Sequence, residues 1–162
     1  MKNLTFFVFL CLWTSTGLAL CPSYVVCREE FLSAAKTLLT DPNHNLAAFS
    51  IPTKSGRQLW TDLLTLRQGK NDSLVVFISG THGVEGPTGS TFQTRLLKSY
   101  GSELLPKNHD YVFIHALNPF GFAMGRRVSE SNIDLNRNFS TDLELYSEKN
   151  PGYQEVSSFL NP

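Results

Sequence analysis

Apolar residues fall into runs whose spacing predicts distinct elements. In the stretch 28–39, positions 31, 32, 35, 38 and 39 are apolar. That is helical spacing, and Pro42 stops it. Leu59 to Leu66 mixes apolar and polar positions in partial alternation and predicts a strand. Gly69-Lys70-Asn71-Asp72 predicts a turn. Leu74-Val75-Val76-Phe77-Ile78 has no polar interruption, as expected of an interior strand covered on both faces. A glycine-rich turn follows, then a helix from about Gly89 to Tyr100. Tyr111 to Leu117 predicts another continuously apolar strand, broken by Asn118-Pro119. Residues 118–139 are polar, with glycines at 121 and 125, and predict a long loop.

Strand, helix and strand in this order form a βαβ unit, the building block of a largely parallel sheet with helices on its faces. Ligands of such sheets gather at the carboxyl ends of the strands. The polar segments 79–89 and 118–139 both begin at such ends. They are therefore expected to meet on one edge of the sheet.

The first residues read differently. Lys2 is a short basic region, Leu4 to Trp13 is apolar apart from Thr5, and Gly17-Leu18-Ala19 places small residues at a cleavage site. This is the pattern of a secretory signal peptide over residues 1–19, which predicts an exported chain, periplasmic or secreted, starting near Leu20. A membrane anchor is the competing reading, but the apolar stretch is too short for roughly 30 Å of hydrocarbon, so no membrane association is expected after cleavage. Cys21 and Cys27 remain after cleavage. An oxidising compartment allows them to pair, and two unpaired thiols are the equal alternative. Residues 20–162 suit one domain. The 14 basic residues balance 14 acidic ones, and no basic patch is interleaved with aromatics, which argues against a nucleic-acid partner.

Two clusters carry candidate chemistry. His82 and Glu85 stand three residues apart in the glycine turn after a buried strand, among Gly80, Gly83, Gly86 and Gly89. An imidazole and a carboxylate so placed are two ligands of a zinc site. A phosphate-cradling loop also uses glycines, but neither its lysine nor a Gly-x-Gly-x-x-Gly order is present. The second cluster is Arg126, Arg127, Asp134, Asn136, Arg137 and Asn138. Guanidinium forks suit a carboxylate ligand. On composition alone a solvated surface loop with local Asn and Asp turns is the favoured reading.

Ser-Gly-Thr-His-Gly-Val-Glu-Gly at 79–86, Asn-Pro-Phe-Gly-Phe at 118–122 and Asp-Leu-Asn-Arg-Asn-Phe at 134–139 occur in that order. Together they resemble the zinc carboxypeptidase superfamily. The likeness points to an uncharacterised bacterial branch labelled as a domain of unknown function, related to the succinylglutamate desuccinylase and aspartoacylase amidohydrolases. The resemblance covers about residues 57–139. It implies an α/β fold, a three-layer α/β/α arrangement around a largely parallel mixed sheet of the phosphorylase/hydrolase-like kind. It also implies zinc-dependent hydrolysis of peptide or amide bonds, on a peptide or N-acyl amino-acid substrate with a free carboxylate. By position, His82 and Glu85 match the first two zinc ligands. Arg127 matches the arginine that polarises the scissile carbonyl, with Arg126 as the adjacent alternative. Asn136 and Arg137 match the pair that grips the substrate carboxylate, and Asp134 would orient that loop.

The chain departs from that pattern in one respect. The family's third zinc ligand is a later histidine and its general base a still later glutamate, whereas no histidine follows Arg137 here. His115 closes a strand and reads as a core or turn histidine. Glu144, Glu148 and Glu155 read as solvated charges. The expectation is an N-terminal half of the domain, truncated, with weak or no activity. A non-catalytic carboxylate-binding module and a gene remnant are the alternatives.

Overall fold

A mixed sheet organises the chain, with strand order β1-β4-β5-β3-β2. Its strands are β1 (Asn3–Leu4), β2 (His44–Pro52), β3 (Gln58–Leu66), β4 (Ser73–Ile78) and β5 (Asp110–His115). The helices are α1 (Tyr24–Lys36), α2 (Gly86–Lys98), α3 (Pro119–Met124) and α4 (Pro151–Leu160). This computed structural model describes residues 3–4, 19–68, 73–138 and 151–160. The expected turn at 69–72, Glu144, Glu148 and nearly all of the signal-peptide pattern lie outside the described residues. Among the described residues no helix is long and apolar enough to cross a membrane.

The fold is α/β, as expected, but the sheet is less parallel than the βαβ pattern predicts. β4 runs parallel to β5 and to β1. β3 runs antiparallel to β5, and the β2–β3 hairpin adds a second antiparallel pair. β2 was not expected. It lies at the sheet edge, where exposure of most of its positions weakens the apolar alternation that marks a strand. The helix in 28–39 starts earlier, at Tyr24, because the Ser23 hydroxyl accepts from Val26 N–H and caps it. The second helix likewise begins at Gly86, with Pro87 in its first turn. Residues 118–139 are not all loop. Asn118 caps α3 by accepting from Gly121 N–H at 2.9 Å, and Pro119 opens it.

Both long helices pack on one face. α1 presents Phe31, Ala34 and Ala35, and α2 presents Leu96 and Leu97, to Leu64 and Leu66 of β3 and to Tyr111 and Phe113 of β5. Strand residues of opposite parity, Leu63, Val76 and Val112, are only half-buried, and Ile78 is 49% exposed. β4 is thus flanked by strands on both sides, but among the described residues no helix buries its outer face, contrary to the expected covering on both faces.

A smaller cluster ties the chain's start to the strand ends. Cys21, Tyr24 and Cys27 pack against Leu59, Ala116 and Phe122. Cys21 and Cys27 are joined by a disulfide, which closes the question the sequence left open.

Candidate functional site

The glycine turn after β4 and the segment after β5 are stitched together by backbone bonds. Ser79 N–H donates to Ile114 C=O, Leu117 N–H to Ser79 C=O, and Asn118 N–H to Gly80 C=O. The parallel ladder therefore continues past both strand ends and fixes the two following turns side by side. Gly83 closes the junction. Its N–H donates to Arg126 C=O at 3.0 Å. A Cβ at position 83 would lie 1.8 Å from Gly121 O, so only glycine allows this approach. Gly80 supplies the left-handed bend between strand and turn, with φ of 65°.

This junction brings Asp134 to His82. The Asp134 carboxylate accepts from His82 Nε2 at 2.9 Å and from Arg127 Nε at 2.9 Å. It also accepts from Asn136 N–H, forming an Asx turn. The His82 hydrogen bond holds the Asp134 carboxyl down to about 2; burial opposes it, while Arg127 and the Asn136 amide act with it. A carboxylate only accepts, so His82 carries a proton on Nε2 and, in the neutral ring, turns the Nδ1 lone pair the other way. That lone pair faces Glu85, whose Oε2 is 3.6 Å from Nδ1. His82 is nearly buried, whereas the Glu85 side chain is 74% exposed. Glu85 sits at the N-cap position of α2 without using its side chain as a cap, which leaves the carboxylate free toward His82.

The family is shown by comparison. The family described as "Protein of unknown function (DUF2817)" matches residues 20–162. The chain belongs to this DUF2817 family. Comparison with curated proteins and with solved structures finds no match.

In this DUF2817 chain the two sequence clusters do meet at one edge of the sheet. The arginines diverge within it. Arg127 is tied to Asp134, while the Arg126 guanidinium lies 5.7 Å from the Phe120 ring centroid and donates to Asn132 Oδ1. Arg137 donates to the backbone carbonyl of Asn136, and both residues are exposed. Among the described residues no three His, Cys, Asp or Glu side chains cluster as a metal site. His115 is fully buried, stacked on Phe31 and bonded through Nε2 to Ser90 Oγ at 2.7 Å, so it does not reach the turn.

Sequence reading missed a second polar set. Arg28 donates to both oxygens of the fully buried Asp62, at 2.7 and 2.9 Å, and Asp62 lies 4.0 Å from His115 Nδ1. The available signal was Asp62 itself, an acid sharing the buried parity of Leu64 and Leu66 on β3.

Proposed function

We propose that the His82 turn is part of a zinc site in a metallocarboxypeptidase-like hydrolase of peptide or amide bonds. One observation carries the reading. The Nδ1 lone pair of His82 and the Glu85 carboxylate, both acceptors, face each other at 3.6 Å. Two acceptors at that separation can share a cation between them. Ligands of a tetrahedral zinc with bonds of about 2.0–2.1 Å stand roughly 3.3–3.4 Å apart. Asp134 on the remote nitrogen supplies the outer-shell hydrogen bond that orients a metal-binding histidine.

Zinc, when bound, polarises a carbonyl and lowers the pKa of water toward about 7. The chain's own residues orient and bind. Asp134 fixes the His82 ring and tethers Arg127, whose guanidinium would stabilise the developing substrate oxyanion. Asn136 and Arg137, with Arg126 nearby, offer donors for the substrate's free carboxylate. A peptide and an N-acyl amino acid both satisfy this chemistry. The Cys21–Cys27 disulfide supports an exported chain, since such bonds persist in oxidising compartments.

Titrating the purified full chain with zinc, followed by elemental analysis, tests the reading. With two donors, binding is expected to be weak and to be lost in His82→Ala and in Glu85→Gln. Zinc binding unchanged by both substitutions would remove the proposal. The absence of a third donor among the described residues favours a second reading, a metal-independent carboxylate-binding module. That reading requires N-acetyl amino acids to bind in the presence of a chelator, with Arg127→Ala weakening the binding.

A further inference from the structure

Cys21 and Cys27 close a loop of only 6 positions. So short a loop gives a disulfide less of the chain-entropy gain that long loops bring. Its placement says more. Both cysteines are buried, and Cys21 faces the first turns of α2. Cys21 N–H donates to Thr91 Oγ1 at 3.2 Å, and the Thr91 hydroxyl reaches back to Cys21 Sγ at 3.5 Å. That sulfur also lies 3.6 Å from the Pro87 carbonyl oxygen. Cys21 precedes α1 and its Ser23 cap, whereas Cys27 lies inside the helix. The S–S bond is therefore the covalent tie between these contacts and the body of α1. One ring carries the same cluster to the glycine turn. Phe122 meets Tyr24 edge-on, with centroids 5.5 Å apart, in the cluster that holds both cysteines. Tyr24 is itself fixed, because its hydroxyl donates to Trp60 C=O and accepts from Trp60 N–H. A Cβ at position 86 would lie 2.5 Å from the Phe122 ring, and one at position 80 would lie 3.3 Å from it. Gly80 and Gly86 bracket the turn that carries His82 and Glu85, and Glu85 is the N-cap of α2.

We infer that the Cys21–Cys27 disulfide is a positioning element of the His82–Glu85 pair, acting on the first turns of α2 and, through Phe122, on the glycines at both ends of the turn. Its work is indirect, through packing and hydrogen bonds. Two ligands keep a useful separation only if the backbone that carries them is held by a supporting shell. A pair held in place before binding also loses less freedom when the ligand arrives. Glu85 needs such support most. Its side chain is 74% exposed and caps nothing, so its place relative to His82 is set by the start of α2. The inference rests on the zinc reading only for its affinity readout; the ordering of the turn is measured without metal.

Amide hydrogen exchange of the metal-free full chain, followed by zinc titration, tests this. Two amides report on the turn: Gly86 N–H, which donates to Gly83 C=O, and Gly89 N–H, which donates to Glu85 C=O. Amides of β5 report on the fold as a whole. In Cys21→Ala/Cys27→Ala the two glycine amides should lose about tenfold more protection than β5, as local opening requires. Zinc affinity should fall about tenfold, the low end for loss of outer-shell support. Thr91→Val keeps the disulfide but removes the hydroxyl that meets Cys21. It should give a smaller, few-fold loss in both readouts, and Thr91→Ser should match the parent. A disulfide that only stabilises the fold would lower β5 as much as the turn, and that result would overturn the inference. So would a Thr91→Val chain indistinguishable from the parent, which also decides the matter if the double variant does not fold. If the parent chain takes up no zinc, the metal reading falls and the exchange comparison decides this inference alone.

Discussion

His82 Nε2 and Asp134 Oδ1 are 2.9 Å apart although their residues are 52 positions apart in the chain. That bond turns two sequence motifs into one site. It selects which imidazole nitrogen keeps its proton and aims the other at Glu85. It also leaves the second Asp134 oxygen for Arg127.

Replacing Asp134 should therefore act on metal affinity before fold. Asp134→Ala frees the His82 ring and the Arg127 guanidinium together. Loss of an outer-shell partner typically costs 10- to 100-fold in affinity. Zinc titration of Asp134→Ala against the parent chain should give a loss of that size, with far-ultraviolet circular dichroism unchanged. Equal affinities would show that Asp134 does not position His82.

Gly83→Ala should damage the junction itself. The added methyl meets the Gly121 carbonyl, and neither backbone is free to yield. Gly121 C=O accepts from Arg126 N–H, and Gly83 N–H donates back to Arg126 C=O. A clash with fixed backbone belongs among the large single-residue effects, about 3 kcal/mol or more. Urea unfolding of the variant should show a loss of that order. A loss below about 1 kcal/mol would mean that the two turns part easily.

Much of this arrangement was legible in the sequence, and the exceptions share a cause. β4, the glycine turn, α2 and β5 announce themselves because continuous apolar runs and glycine spacing are local signals. The meeting of His82 with the arginine segment followed from topology, since turns after adjacent parallel strands open on one edge. Edge strand β2 and six-residue α3 stayed hidden. The first is too exposed to show a buried parity, and the second is too short for helical periodicity. The ties of Asp62 to Arg28 and His115 were invisible for a different reason. They join residues 34 and 53 positions apart through packing of α1 on β3 and β5, which no local pattern encodes. Asp134 was legible as a loop-orienting residue, but its hold on His82 was not.

Stability should fall on acidification through His115. Burial pushes its imidazole from 6.5 down to about 4; Asp62 opposes that push and Arg28 reinforces it. Above pH 6.5 the ring is neutral whether the chain is folded or unfolded, so it adds no pH dependence. Between about 6.5 and 4 the unfolded chain binds a proton that the folded chain refuses, and stability drops with pH. The shift corresponds to roughly 3 kcal/mol across that window. Melting curves from pH 7 to 4 should show the decline, and His115→Gln should flatten it. An equally steep decline in the variant would assign it to other groups.

The Arg28–Asp62 pair makes the sharper claim, because only one partner is fully buried. Asp62 has no exposure and Arg28 is partly exposed at the rim of a 520 Å³ cavity beside Trp60. Arg28→Met strips the buried carboxylate of both its guanidinium bonds, and breaking such a pair from one side costs about 3–5 kcal/mol. Removing both charges in Arg28→Met/Asp62→Leu should recover most of that loss, since the penalty comes from the stranded carboxylate. The single variant also has a distinct signature at His115. With Arg28 gone, the Asp62 charge 4.0 Å from Nδ1 works against burial without the guanidinium's added opposition. Proton NMR of the His115 ring should then place its titration above the parent value of about 4. In the double variant that upward influence is absent, and the titration should fall back. A His115 titration that ignores both substitutions would show that burial alone sets it.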